Sequence, residues 1–301
     1  MKKTVYFISA LFAGAGVFIY SLVSLPPSSP DMHVNVFLHL PQNHVSDSIQ
    51  DSCRFFFINY LEFPETKPND AIISHSGYSF LYNDAHKQSD WVAYLLTSER
   101  LNNPATSRPK NKKFTIDKAV STGTAAHDDY TNSKFDRGHL APCADMLWSE
   151  IAMNESFFMS NVSPQTPEFN QQTWEKLEEL VRHWAKQYDT LYIATGPLLH
   201  EELPFLIDVV TEPKFAPKKN VSVPEYFYKV ILNYTSQDIK GIGFIMPNID
   251  GMGKSIDTVK KYAVSIDSVE KFTGINFFYQ LTPAQQECAE KTFDVSKWDW
   301  K

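Results

Sequence analysis

The segment Asp136-Arg137-Gly138-His139-Leu140-Ala141-Pro142 holds the densest supply of reactive side chains in this sequence, and amides follow it at Asn161 and Asn170, with a carboxylate at Glu178. An imidazole takes a proton from water near neutral pH. An arginine fork binds phosphate oxygens, and amide or carboxylate oxygens can hold a hydrated Mg2+. These are the parts for phosphodiester hydrolysis. Each residue also has a plainer reading. Asn170 stands where a helix N-cap would stand, and Asp136 reads as the charge partner that holds Arg137. Glu178 reads equally well as a solvated helix residue. Cys143 follows His139 by four positions, but no Asn/His relay lies nearby, so it reads as a small buried apolar residue and not as a nucleophile.

Strands and helices must position these groups. Apolar runs bounded by turn residues predict strands over Ile72–Leu81, Trp91–Thr97, Phe157–Val162 and Leu191–Ala194. Tyr226–Leu232 and Ile242–Met246 read as paired strands around a Thr235-Ser236-Gln237-Asp238 turn. Trp174, Leu177, Val181 and Trp184 recur at steps of three and four, which predicts an amphipathic helix over Gln171–Gln187 with both tryptophans in the core. Two more helices are expected over Ser265–Phe272, capped by Asp267 or Ser268, and over Pro283–Lys291, capped by Thr282. Strands dominate without a regular βαβ alternation, so the class is α+β.

The chain has 301 residues, 43% hydrophobic, 14% aromatic and 21% charged, which excludes a disordered tail, a collagen-like fibre and a polytopic membrane protein. Its formal charge of −7 gives no global attraction to polyanions, so any such partner must meet a local basic strip such as Lys110, Lys112, Lys113, Lys134 and Arg137. Cys53, Cys143 and Cys288 are too few for a disulfide scaffold and lack zinc-site spacing. Lys2 and Lys3 precede an uncharged run from Thr4 to Leu25 that ends in prolines. Its length lies near that of a spanning helix, so residues 1–25 are expected to be a signal peptide or a signal anchor. Residues 26–52 read as a polar linker, and 53–301 as the functional domain. The domain is therefore expected to be exported, whether periplasmic, extracellular or membrane-anchored, or to be organellar.

Beyond the central motif, Gly77-Tyr78-Ser79, Trp91-Val92-Ala93-Tyr94, Ser160-Asn161-Val162-Ser163-Pro164-Gln165, Asn170-Gln171, Thr195-Gly196-Pro197, Met246-Pro247-Asn248 and Ile266–Phe278 occur in this order. With them the sequence resembles the DNA/RNA non-specific endonucleases of ββα-metal (His-Me finger) fold, from about Ile73 to Phe293. The resemblance implies a mainly antiparallel sheet flanked by helices. It further implies His139 as general base, Asn170 as metal ligand, Arg137 near the phosphate, Asn161 in the active site and Glu178 on the metal's water shell. A basic residue before the motif grips substrate in some members, and Arg108, Lys112 and Lys113 all remain candidates. The implied cofactor is Mg2+, with Mn2+ substituting; the implied substrates are DNA and RNA, cut to 5′-phosphates, by a chain that can form a homodimer. Two alternatives use the same residues: a membrane-associated phosphodiesterase for a small phosphodiester, and a non-catalytic binder of polyanions.

Overall fold

The structure is a computed structural model that describes residues 58–209, 220–235 and 238–301, together with the backbone of three short N-terminal strands. The chain divides into two units, Met1–Asp51 and Ser52–Lys301. In the first, β1 (Tyr6–Ile8), β2 (Ile19–Val23) and β3 (Val36–Leu38) pair antiparallel in that order. The expected leader over residues 1–25 and the linker over 26–52 otherwise lie outside the described residues. Among the described residues, no helix is long and apolar enough to cross a membrane.

The second unit is built on β4 (Ile72–Ser74), β5 (Ser79–Asn83), β6 (Gln88–Thr97), β7 (Asp136–His139), β8 (Val162–Gln165), β9 (Thr190–Pro197), β10 (Tyr226–Tyr234), β11 (Ile239–Pro247) and β12 (Ala263–Val264). Seven of these form one antiparallel sheet in the order β12-β11-β10-β9-β6-β5-β4, and β7 and β8 form a separate two-stranded ribbon. The α+β class is as expected. Period-two alternation splits the long strand β6 between two cores. Val92, Tyr94 and Leu96 join Leu177, Leu180, Val181 and Trp184 of the helix Glu175–Tyr188 on one face. Trp91 and Ala93 face Tyr228, Val230, Ile266 and Val269 on the other.

Several expected elements shift. Ile72–Leu81 is a hairpin and not one strand, because the chain turns between β4 and β5 at Gly77, where a Cβ would lie 2.4 Å from Met146 Sδ. Phe157–Val162 is mostly not extended: Met159–Asn161 forms a 3-10 turn and β8 starts only at Val162. Pro164 is tolerated in β8 because a two-stranded ribbon has free edges. β10 and β11 pair as expected, from Tyr226↔Pro247 to Tyr234↔Ile239. The late helix runs Ile266–Thr273 and is capped by Ser265, whose hydroxyl accepts from Ser268 N–H at 3.1 Å, not by Asp267 or Ser268. Thr282 does cap the last helix, Pro283–Gln286.

Candidate active site

The ribbon β7/β8 and the helical segment that follows form one wall of a cleft of about 610 Å³. Asp136, Arg137 and His139 of β7 all line this cleft. Gly138 lies between them because Gln165 packs over it; a Cβ there would sit 2.1 Å from Gln165 Oε1.

The next segment is not the simple helix that the sequence predicts. Phe169–Trp174 is a π-helical turn, in which the Glu175 N–H donates to the carbonyl of Asn170, and a regular α-helix continues over Glu175–Tyr188. Asn170 therefore lies inside the turn and is not its N-cap. The extra residue changes the register between Asn170 and Glu178, and both side chains line the cleft. Asn170 Nδ2 donates to Asp136 Oδ2 at 2.8 Å, and Gln171 Nε2 donates to the same oxygen at 2.7 Å. These bonds fix the Asn170 carboxamide and leave its Oδ1 without a protein donor among the described residues. Asp136 thus makes no salt bridge to Arg137 among the described residues, and its charge reaches that guanidinium only from a distance. Arg137 instead donates to the His127 carbonyl, from Nε at 3.0 Å and Nη2 at 2.6 Å, and lies 5.7 Å over the Tyr130 ring.

His139 sits between Phe114 and Phe157, with ring centroids 4.9 and 5.1 Å away. Its Nε2 is enclosed and has no protein hydrogen-bond partner. Burial, and secondarily the Arg108 charge, pushes this imidazole down to about 3. The ring is therefore neutral at physiological pH and can accept a proton. Two aromatic rings orient it, and among the described residues no carboxylate bonds to it. The same shift predicts a stability signature. In the unfolded chain the imidazole titrates near 6.5, so between about 6.5 and 3 the unfolded state binds the extra proton and stability falls as pH falls. Urea unfolding of wild type and His139→Gln across this window is expected to show the shallower acid loss in the variant.

Asn161 is fully buried and does not line the cleft. Its Oδ1 accepts from Ala141 N–H at 2.8 Å, and its Nδ2 donates to the carbonyls of Ala141 at 2.8 Å and Ser156 at 2.9 Å. Every polar group of its side chain is used to hold the loop that follows His139. Asn161→Ala leaves those backbone groups buried and unpaired, so it is expected to destabilise the fold by about 2–4 kcal/mol, read by urea denaturation.

Arg108 and Lys112 stand exposed at the cleft, with Lys112 bonded to Asn154; Lys113, Lys110 and Lys134 are not among its lining residues. Cys143 lines the cleft, but burial raises its thiol and suppresses the thiolate.

Sequence reasoning missed the network behind Glu178. Arg182 Nη1 donates to Asp145 Oδ1 at 3.0 Å, and Tyr94 OH donates to Asp145 Oδ2 at 3.0 Å. Lys229 is fully buried on β10 with its Nζ 4.9 Å from the Trp174 ring centroid and no hydrogen-bond partner. Burial raises the Glu178 carboxyl, opposed by Arg182 and Lys229, and lowers the Lys229 ammonium, opposed by Glu178 and Asp145. The visible signal is a lysine inside the apolar-aromatic run Tyr226–Leu232. The cleft carries basic side chains at Arg108, Lys112 and Arg137, acidic ones at Asp136, Glu175 and Glu178, and beside the latter Arg182, which is paired with Asp145. That division suits a phosphate beside a cation.

The chain is similar to known proteins over most of this unit. Residues 59–284 match the family described as DNA/RNA non-specific endonuclease. The chain is 34% identical over 177 residues to human mitochondrial endonuclease G, a match that covers 58% of this chain and 59% of that protein. It is 32% identical over 249 residues to nuclease C1 of Cunninghamella echinulata var. echinulata, covering 78% of this chain and 94% of the relative. The solved structure of EndoG in complex with EndoGI superposes with a TM-score of 0.62 at 29% identity, covering 75% of this chain and 92% of that one. The match thus spans less than two thirds of human endonuclease G and nearly all of the fungal enzyme. A ββα ribbon-and-helix on a mainly antiparallel sheet, matched over 226 consecutive positions, places this chain in the DNA/RNA non-specific endonuclease family.

Proposed function

We propose that the protein is a divalent-metal-dependent endonuclease that hydrolyses the phosphodiester bonds of DNA and RNA, with Mg2+ as its ion. One observation carries this reading: Asn170, its carboxamide held through Nδ2 by Asp136 and its Oδ1 free of protein donors among the described residues, shares a cleft with the imidazole of His139. The donor set fits a hard cation that keeps most of its waters, with Asn170 Oδ1 as the direct ligand and Glu178, which accepts no protein hydrogen bond among the described residues, on the water shell. When bound, such an ion supplies positive charge to the phosphate oxygens and the departing 3′ oxygen.

The chain's own residues perform the rest. His139 accepts the proton of the attacking water, because its ring is neutral and opens on the cleft. Arg137, whose guanidinium is steadied by the His127 carbonyl, and the exposed Arg108 and Lys112 bind backbone phosphates. Contacts to phosphate carry no base information, so cleavage is sequence-tolerant and weakens as salt rises. Asn161 acts by positioning His139 through the Ala141 loop. Residues 1–25 serve as an export address, residues 53–301 as the catalytic domain, and the working form is a homodimer; N-terminal mass spectrometry and light scattering test the address and the assembly.

The deciding experiment incubates the full chain with supercoiled plasmid, structured RNA and a small phosphodiester, each with Mg2+ or EDTA. Cleavage of both polymers to 5′-phosphate ends, abolished by EDTA, is expected. Cleavage of the small ester alone selects the phosphodiesterase reading, and binding without cleavage selects the non-catalytic one.

A further inference from the structure

Outside the cleft, Asp267, Glu270 and Glu290 bring carboxylate oxygens within 4.8 Å of one another. Asp267 and Glu270 are three apart on the helix Ile266–Thr273 and share a face, while Glu290 comes from the π-helical turn Glu287–Lys291. Backbone packing makes them converge. A Cβ on Gly241 of β11 would lie 2.2 Å from the Ala289 carbonyl oxygen and 2.4 Å from Ile266 Cδ1, and one on Gly243 would lie 2.5 Å from Val269 Cγ2. Two glycines thus let the helix and the turn press onto the same strand.

Glu290 points independently to a ligand. It is only 5% exposed, and its Oε1 is buried with no hydrogen-bond partner. Glu270 Oε1 accepts from Phe277 N–H at 2.8 Å. Lys271 Nζ stays 3.9 Å from Asp267 Oδ2 and largely exposed, and Lys291 turns away to Glu287 at 2.7 Å. An unpaired carboxylate in this position is costly unless a proton or a cation joins it.

We propose that Asp267, Glu270 and Glu290 form a calcium site that pins the C-terminal turn to the helix and sheet. Its ligands are all oxygen, as a hard cation requires. Ca2+ takes its oxygens in flexible geometry and so fits three carboxylates set by two packed elements, whereas Mg2+ demands a near-ideal octahedron and gives up its waters reluctantly.

The test is thermal unfolding of the full, EDTA-stripped chain at pH 7.5 in rising CaCl2, for wild type, Glu290→Gln, Asp267→Asn and Asn170→Ala. Wild type and Asn170→Ala are expected to gain about 3 °C or more at saturation. Glu290→Gln and Asp267→Asn are expected to lose most of that gain, while Glu290→Gln without calcium melts no lower than wild type because repulsion is relieved. Mg2+-supported plasmid cleavage by Glu290→Gln stays at the wild-type rate, so this site and the cleft are read separately. A wild type indifferent to calcium, or a gain that survives both carboxylate variants or vanishes in Asn170→Ala, overturns the site. A midpoint that answers to pH and not to calcium assigns a shared proton instead and also overturns it.

Discussion

His139→Ala is expected to lower plasmid cleavage by about 10²–10⁴-fold, the usual contribution of a general base. The fold is expected to survive, because Nε2 bonds to no protein group and its removal leaves no orphaned partner. What is lost is packing against Phe114 and Phe157. Single-turnover rates at saturating Mg2+, beside a thermal melt, separate the two effects. If the folded variant cuts within tenfold of wild type, another group takes the proton. Because burial already holds the ring neutral, the wild-type rate is not expected to drop near pH 6.5 through protonation of this residue.

The second large effect falls on Asn170. Asn170→Ala removes the only direct ligand proposed for the ion, and the Mg2+ concentration for half-maximal rate is expected to rise at least tenfold while turnover falls. Asp136→Ala keeps the ligand but frees its carboxamide to rotate, so a loss of about 10–100-fold in apparent metal affinity is expected, as for other groups that orient a ligand. Asn170→Asp separates orientation from charge. It offers a better oxygen donor, but it sets a second carboxylate against Asp136 where Nδ2 now donates at 2.8 Å. It is therefore expected not to restore activity. Magnesium titrations superimposable on wild type in both Asn170 variants would remove this residue from the metal site.

Many of the motif residues that made the family legible turn out to be scaffold. Ser160 Oγ donates to Asp117 Oδ2 at 2.6 Å, Ser163 Oγ donates to Gln88 Oε1 at 2.5 Å, and Thr195 Oγ1 donates to the Tyr228 carbonyl at 2.9 Å. Asn248 accepts from Thr166 N–H at 2.8 Å and donates to the carbonyls of Pro164 and Pro224 at 3.0 and 2.8 Å. These bonds lock β8 and the turn leading to Asn170. Buried polar groups need partners, so such residues are as constrained by sequence as those that touch substrate. A pattern of residue types cannot separate the two duties.

From sequence alone came the inventory of the chemistry, an imidazole, an arginine and an amide ahead of an amphipathic helix, together with the α+β class and the β10/β11 pairing. These depend on residue type and on periods of two and 3.6, which are local. Tertiary structure alone decided who bonds to whom. Asp136 accepts from Asn170, 34 positions away, while the guanidinium of its neighbour Arg137 is taken up by the His127 carbonyl. The Asn161 side chain bonds to the backbone of Ala141 and Ser156, and Lys229 and Asp145 come from two remote segments to join Arg182, one turn along the same helix, behind Glu178. Long-range pairing leaves no local signal in the chain, since only folding supplies the partner.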